Sequence, residues 1–144
     1  MGAESLAEPF RHELRVRYAE CDAQGVVFNA NYLSYFDISM TELWRAAFGS
    51  YKAMMDRGYD LVVAEAQIRF ERPARFDEQL TLEVAIEKLG NTSIVTAHRL
   101  WRGDESLAHG SLRHVFVLLE TMGKAAIPDW ARTALGPWVA PAGA

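Results

Sequence analysis

From Leu33 to Phe48 the residues Leu33, Phe36, Met40, Leu43, Trp44, Ala47 and Phe48 recur at three- and four-residue spacing. This is the period of a long helix with a single apolar stripe, and Gly49 is placed to stop it, with Asn31 as the expected N-cap. A stripe this long and wide needs an extended apolar surface to lie on, which a sheet offers better than another helix. No comparable helical period follows. Ser50 and the run YKAMMDRG predict one short second helix closed by Gly58. Beyond it the period falls to two.

Before the helix, His12 to Tyr18 alternates, with Leu14, Val16 and Tyr18 on one face and Glu13, Arg15 and Arg17 on the other, as in a half-buried strand. After Gly58, Leu61–Phe70 is rich in β-formers and Pro73 ends it. Leu80, Leu82, Val84 and Ile86 alternate with polar positions up to a turn at Gly90-Asn91. Ile94, Thr96, His98 and Leu100 continue to a second turn at Gly103-Asp104. Ser111–Leu119 supplies the last strand, whose end VFVLL is apolar on both faces and is expected to be central. Pro128 opens a short helix, DWARTAL, and a Pro/Gly/Ala tail after Gly136 is expected to be loosely held. The expected fold class is α+β, an antiparallel sheet wrapped around one long central helix. With 144 residues, half of them apolar, the chain is read as one domain, its core spanning about 12–120.

Composition removes several functions. A net charge of −4 with no Lys/Arg run lacks the footprint of a nucleic-acid binder. One cysteine makes no internal disulfide, and no Cys/His cluster has zinc-site spacing, so no metal or cofactor is expected. The opening MGAESLAEP has neither a basic nor an apolar signal region, and no stretch reaches the ~18 apolar residues of a membrane span; a cytoplasmic location and no membrane partner are expected. Four Trp, five Tyr and seven Phe exceed what a minimal core needs and point to a lined pocket or a subunit interface.

The segment RYAECDAQGVVFNANYLSYFD carries a Tyr, an Asp four residues on, then Gly-Val-Val-aromatic and Ala-Asn-Tyr at the helix start. Here these are Tyr18, Asp22, Gly25, Val26, Val27, Phe28, Ala30, Asn31 and Tyr32. A second segment, VVAEAQIRFERPARFDEQLTLE, places Pro73, Ala74 and Asp77. Together they resemble the 4-hydroxybenzoyl-CoA thioesterase and YbgC-type branch of the hotdog-fold acyl-CoA thioesterases, over roughly residues 12–120. The resemblance implies a hotdog fold, a homodimer or homotetramer with the active site at the dimer interface, and hydrolysis of an acyl-CoA or acyl-carrier thioester. It also implies Asp22 as the catalytic nucleophile or general base, and backbone N–H groups at the helix start as the oxyanion hole. One departure stands out: where the family carries Tyr or His seven residues after the Asp, this chain has Asn29, whose amide donates but does not shuttle a proton.

The chemistry suits that placement. A thioester has a good leaving group, so it needs a positioned base or nucleophile and donors aimed at the developing charge rather than a strong acid. The candidate catalytic residues are Asp22, Tyr18 and Asn29, and the helix N-terminus from Phe28 through Asn29 and Ala30 to Asn31 supplies the donors. Gly25, Val26, Val27, Tyr32, Tyr35 and Glu65 are the candidate substrate pocket, favouring a medium-chain or aromatic acyl group. Arg72, Lys88, Asn91, Thr92 and Ser93 are candidates for the CoA phosphates. Each has a plainer reading: Asp22 as a turn or capping residue, Tyr18 as core, Cys21 as a packed thiol, Glu42 as a solvated or salt-bridged carboxylate, and His98, His109 and His114 as partly buried or surface histidines. Two rival functions remain open, a hotdog dehydratase or hydratase, which needs a His paired with the carboxylate, and a non-catalytic acyl-binding module.

Overall fold

The computed structural model describes residues 8–140. Strand β1 (Phe10–Arg15) leads through a short 3-10 turn (Tyr18–Glu20) and a loop into helix α1 (Ala30–Phe48), and a short helix α2 (Tyr51–Asp56) follows. Four strands come next, β2 (Tyr59–Phe70), β3 (Gln79–Leu89), β4 (Ser93–Arg102) and β5 (Glu105–Leu118), before the short helix α3 (Asp129–Leu135). The five strands form one sheet of order β1-β3-β4-β5-β2, with every pairing antiparallel. This is the expected α+β arrangement, and it leaves β1 and β2 as the edges.

The alternation read along the strands is the alternation seen. Leu80, Leu82, Val84 and Ile86 on β3 and Ile94, Thr96, His98 and Leu100 on β4 face α1 and are buried. Phe36, Met40, Leu43 and Trp44 meet them from the helix, and each such buried large side chain contributes roughly 1.5–3 kcal/mol. Gly49 ends α1 at φ 87°, and Ser50 caps α2 by accepting from the Ala53 N–H at 3.0 Å. The end of β5 is central as expected, with Val115, Phe116 and Val117 buried between β4 and β2. A Cβ on Gly110 would collide with the Gln67 carbonyl, so glycine lets β5 and β2 close up there.

Four expectations need correction. β1 stops at Arg15, where Arg15 faces Gln79, the first residue of β3; Val16 still donates to the Glu78 carbonyl and accepts from the Asp77 N–H, but no pairing continues past it, and Tyr18 ends 81% exposed on the 3-10 turn. The N-cap position is Asn29, not Asn31, and its side chain makes no cap bond. The buried stripe of α1 is Tyr32, Tyr35, Phe36, Ser39, Met40, Leu43 and Trp44, and Leu33 is exposed. The chain after Gly136 is tied down through Ala140: Trp138 packs edge-on against Phe10, and Ala140 donates to the Ile86 carbonyl at 2.7 Å. The rest of the tail lies outside the described residues.

Candidate active site

Asp22 sits on a small hairpin. Cys21 pairs with Val27, Asp22 N–H donates to the Val26 carbonyl, and Gly25 takes the turn at φ 79°. One carboxylate oxygen of Asp22 accepts from the Gln24 N–H at 2.8 Å, an Asx-type turn, and the other has no partner among the described residues. The side chain is exposed, so the plain turn role and an unengaged carboxylate oxygen coexist in one residue.

The hairpin is held by long-range polar contacts. The Glu20 carbonyl accepts from the Phe28 N–H at 3.0 Å and from the Asn31 side-chain amide at 2.8 Å. The Glu20 carboxylate accepts from the Tyr35 hydroxyl at 2.8 Å and from the Arg17 N–H at 2.8 Å. On the other flank Val27 N–H donates to the Ala74 carbonyl, and Ala74 N–H donates to the Tyr32 hydroxyl at 3.0 Å. Burial, and then the Glu20 carboxylate, push the Tyr35 phenol far above its usual range, so Tyr35 stays a neutral donor. Glu20 was not among the sequence candidates, because its partners lie up to fifteen positions away and no local spacing signals them.

At the foot of the hairpin α1 begins. The Asn29 and Ala30 N–H groups have no hydrogen-bond partner among the described residues, and they lie at the positive end of a nineteen-residue helix. Phe28 is half-exposed beside them. Cys21 is a poor nucleophile here, since desolvation and the neighbouring Glu20 and Asp22 carboxylates hold its thiol above the ordinary range.

The other candidates divide. Val27, Tyr32 and Tyr35 are at most 3% exposed and belong to the core that carries the hairpin, so they do not line an open pocket; Gly25 and Val26 are partly exposed in the hairpin itself. Tyr18 is exposed and its ring packs edge-on against Phe76. Glu65 lies on edge strand β2 next to a bulge at Ala64, 3.6 Å from Arg113. Glu42 pairs with Arg45 at 3.3 Å, the ordinary surface outcome. Arg72 stands at the Asp22 end of the sheet but is engaged by Glu105 at 3.1 Å. Lys88, Asn91, Thr92 and Ser93 lie at the far end of β3, an eleven-residue strand and therefore about 35 Å long. Within one chain these CoA candidates are not brought to Asp22. The guanidinium groups of Arg17 and Arg75 are at the Asp22 end, exposed, and without an ion-pair partner among the described residues. His98 and His114 are buried, contrary to the expectation of partial exposure, and His109 is 3.0 Å from Glu71.

A concavity of about 910 Å³ lies on the sheet face away from α1, floored by Ala85, Ala97 and Ser111, and takes in no residue of the hairpin. Around Asp22 the surface carries exposed Tyr18, Phe28 and Phe76, with exposed Phe70 at the end of β2.

A model of the thioesterase superfamily matches residues 24–109, from the hairpin into the first part of β5. The chain belongs to the thioesterase superfamily. Its sequence is 32% identical to the acyl-CoA thioester hydrolase YbgC of Escherichia coli over 98 residues, covering 68% of this chain and 73% of that protein. It is 28% identical over 127 residues to the 1,4-dihydroxy-2-naphthoyl-CoA hydrolase of a Synechococcus strain, covering 80% of each. Among solved structures a hypothetical protein of Aquifex aeolicus superposes with a TM-score of 0.84 at 26% identity, over 88% of this chain and 99% of that one. The architecture is thus the hotdog fold that the hairpin and helix motifs implied, and the chain is a thioesterase. Among the described residues no group of His, Cys, Asp and Glu is arranged to hold a metal, and no helix is long and apolar enough to cross a membrane.

Proposed function

We propose that this thioesterase hydrolyses an acyl-CoA thioester, with Asp22 as the catalytic carboxylate and the Asn29 and Ala30 N–H groups as the oxyanion hole. The observation that carries the reading is the pairing of a carboxylate oxygen left without a partner with two unengaged helix N-terminal N–H groups, at opposite ends of one braced hairpin. Acting as a base, Asp22 takes a proton from water as its oxygen attacks the thioester carbon. The carbonyl oxygen gains charge against the N–H donors, the C–S bond breaks, and the thiolate leaves to be protonated. Acting as a nucleophile, Asp22 first forms an acyl anhydride that water then opens. Both routes use the same atoms. Asn29 serves through its backbone N–H in either one, which makes the family's Tyr or His at this position unnecessary for the donor role.

A second copy of the chain completes the site in this reading. β2 is an unpaired edge whose residues from Val63 to Gln67 are exposed, and the aromatic rings around Asp22 need a cover. The phosphates of CoA are met at this end by Arg17 and Arg75, with Arg72 behind them. Relatives whose names specify acyl-CoA and dihydroxynaphthoyl-CoA substrates support a CoA thioester.

Thiol release from acetyl-, hexanoyl- and benzoyl-CoA tests the proposal. Hexanoyl- or benzoyl-CoA should exceed acetyl-CoA in kcat/KM by at least about tenfold, roughly what one or two buried methylenes supply. No release from any of the three, nor from the matching acyl-carrier thioesters, would refute it. Hydration of an enoyl-CoA in place of thiol release would favour a dehydratase instead, but His98, the most deeply buried imidazole, is bonded to Ser39 and Thr96 inside the core rather than presented at the hairpin.

A further inference from the structure

We propose that Arg102 is a positioning residue for the Asp22 hairpin, clasping the β2–β3 loop on which that hairpin rests. The inference deepens the thioesterase reading above and rests on Asp22 as its carboxylate.

Residues 71–78, which join β2 to β3, touch both the hairpin and the end of β4. The loop meets the hairpin as a strand would: Val27 N–H donates to the Ala74 carbonyl at 2.8 Å, Phe76 N–H donates to the Gly25 carbonyl at 3.1 Å, and Val26 pairs with Arg75. Where the loop stands, the hairpin stands.

Arg102, the last residue of β4, takes hold of both ends of this segment. Its Nη1 donates to the Pro73 carbonyl at 3.1 Å and to the two Glu78 carboxylate oxygens at 2.8 and 3.1 Å. Its Nε and Nη2 donate to Glu105 Oε1 at 3.0 and 2.7 Å, which fixes the plane of the guanidinium from β5. All three nitrogens are engaged, and the side chain is only 27% exposed. A lone surface ion pair is worth little, but a guanidinium held by two carboxylates and a carbonyl is a network whose fork fixes direction as well as charge. Its acceptors bracket the peptides that carry the hairpin. Pro73 precedes Ala74, and Glu78 Oε1 also accepts from the Arg75 N–H at 2.7 Å. Glu105 extends the clasp, its Oε2 lying 3.1 Å from the Arg72 guanidinium. Arg102 hydrogen-bonds no hairpin residue, so its effect on Asp22 passes through Ala74 and Arg75. Without the guanidinium, the Glu78 and Glu105 carboxylates lose their shared cation and the Pro73 carbonyl its donor.

The test is Arg102→Met, which keeps an unbranched apolar stem and removes the donors. Amide hydrogen exchange at Val27, Ala74 and Phe76 should quicken by about tenfold, while amides in the middle of the β3–β4 ladder keep their wild-type rates. A misplacement of about 1 Å near the reacting atoms costs about a hundredfold, so a loosened loop should lower kcat on hexanoyl-CoA by about tenfold, with KM within about threefold of wild type. Arg102→Lys, a point charge without the fork, should recover part of the loss in both readouts, and it carries the same comparison if Arg102→Met does not fold. Unchanged exchange at the three amides overturns the clasp. A raised KM at intact kcat also overturns the positioning role and makes Arg102 a substrate contact. Asp22→Asn, run beside these variants, separates the two claims: faster exchange with intact kcat in Arg102→Met overturns the role of Arg102 where Asp22→Asn is inactive. Asp22→Asn turning over like wild type overturns the Asp22 reading itself.

Discussion

Around the C-terminal half of α1, Phe36, Met40, Leu43 and Trp44 meet Val84, Ile86, Ile94, Phe116 and the α3 residues Ala131 and Leu135 in an almost wholly apolar cluster. Its main polar contact is the Trp44 indole N–H on the Met54 sulfur at 3.2 Å. Around the N-terminal half, Val16, Val27, Tyr32, Tyr35 and Ala74 form a second cluster whose tyrosine hydroxyls reach out to Ala74 and Glu20. The first half stabilises through area and the second through direction. Hydrophobic burial is indifferent to small displacements, whereas hydrogen bonds at 2.8–3.0 Å fix where a chain segment stands. A hairpin with the proposed task of holding a carboxylate against a thioester carbonyl needs the second kind of support.

This contrast can be broken by substitutions on its two sides. Trp44→Ala should lower unfolding stability by about 3–5 kcal/mol, the usual effect of deleting a large buried ring, while turnover per folded molecule changes by less than about threefold. Denaturant unfolding alongside kinetics on the folded fraction measures both. Tyr32→Phe should do the reverse. Removing the acceptor for the buried Ala74 N–H costs about 1–3 kcal/mol, yet kcat should fall by about tenfold because the flank of the hairpin is released. A Tyr32→Phe protein with normal kcat would show that the hairpin is positioned by its apolar neighbours alone.

A smaller effect probes the polar seam between the two halves, where His98 stacks on Phe36. Burial, with a lesser push from His114, lowers the His98 pKa to about 3. The unfolded chain therefore binds a proton between pH 6.5 and about 3 that the folded chain refuses, and stability falls with falling pH across that window. The slope from this one group is about 1.4 kcal/mol per pH unit, and it vanishes above pH 6.5. Replacing His98 with Gln should flatten the acid limb of stability against pH by that amount, and an unchanged limb would assign the acid sensitivity to carboxylates.

The same contrast explains what the sequence made legible. The apolar half is written in periods: α1, α3 and the four strands after Gly58 follow from spacing and turn residues, and VFVLL was expected to be central because both its faces are apolar. Apolar spacing puts Leu33 in the stripe on α1 and leaves Tyr32, Tyr35 and Ser39 out of it, since hydropathy counts a tyrosine or serine as polar. Packing counts the ring and lets the hydroxyl find a partner. Tyr18 continues an alternating pattern, but backbone bonding to the chain before β3 ends at Val16, and pairing is a tertiary fact. The motif around Asp22 marks the candidate site but not what braces it, because Glu20 acts through Asn31 and Tyr35 on another element. Lys88, Asn91, Thr92 and Ser93 suit phosphate contacts by residue type, but the length of β3 places them at the opposite end of the sheet.

The central claim is that the hairpin carboxylate does chemistry and holds up little of the fold. Asp22→Asn keeps the shape, retains an acceptor for the Gln24 N–H, and removes the charge. Its kcat on the best acyl-CoA substrate, measured together with its thermal unfolding, tests that claim most directly. The account predicts a loss of at least about a hundredfold in kcat, with a melting temperature within about 2–4 °C of wild type. A folded Asp22→Asn protein that turns over like wild type would contradict it, and would return Asp22 to the role of an ordinary turn residue.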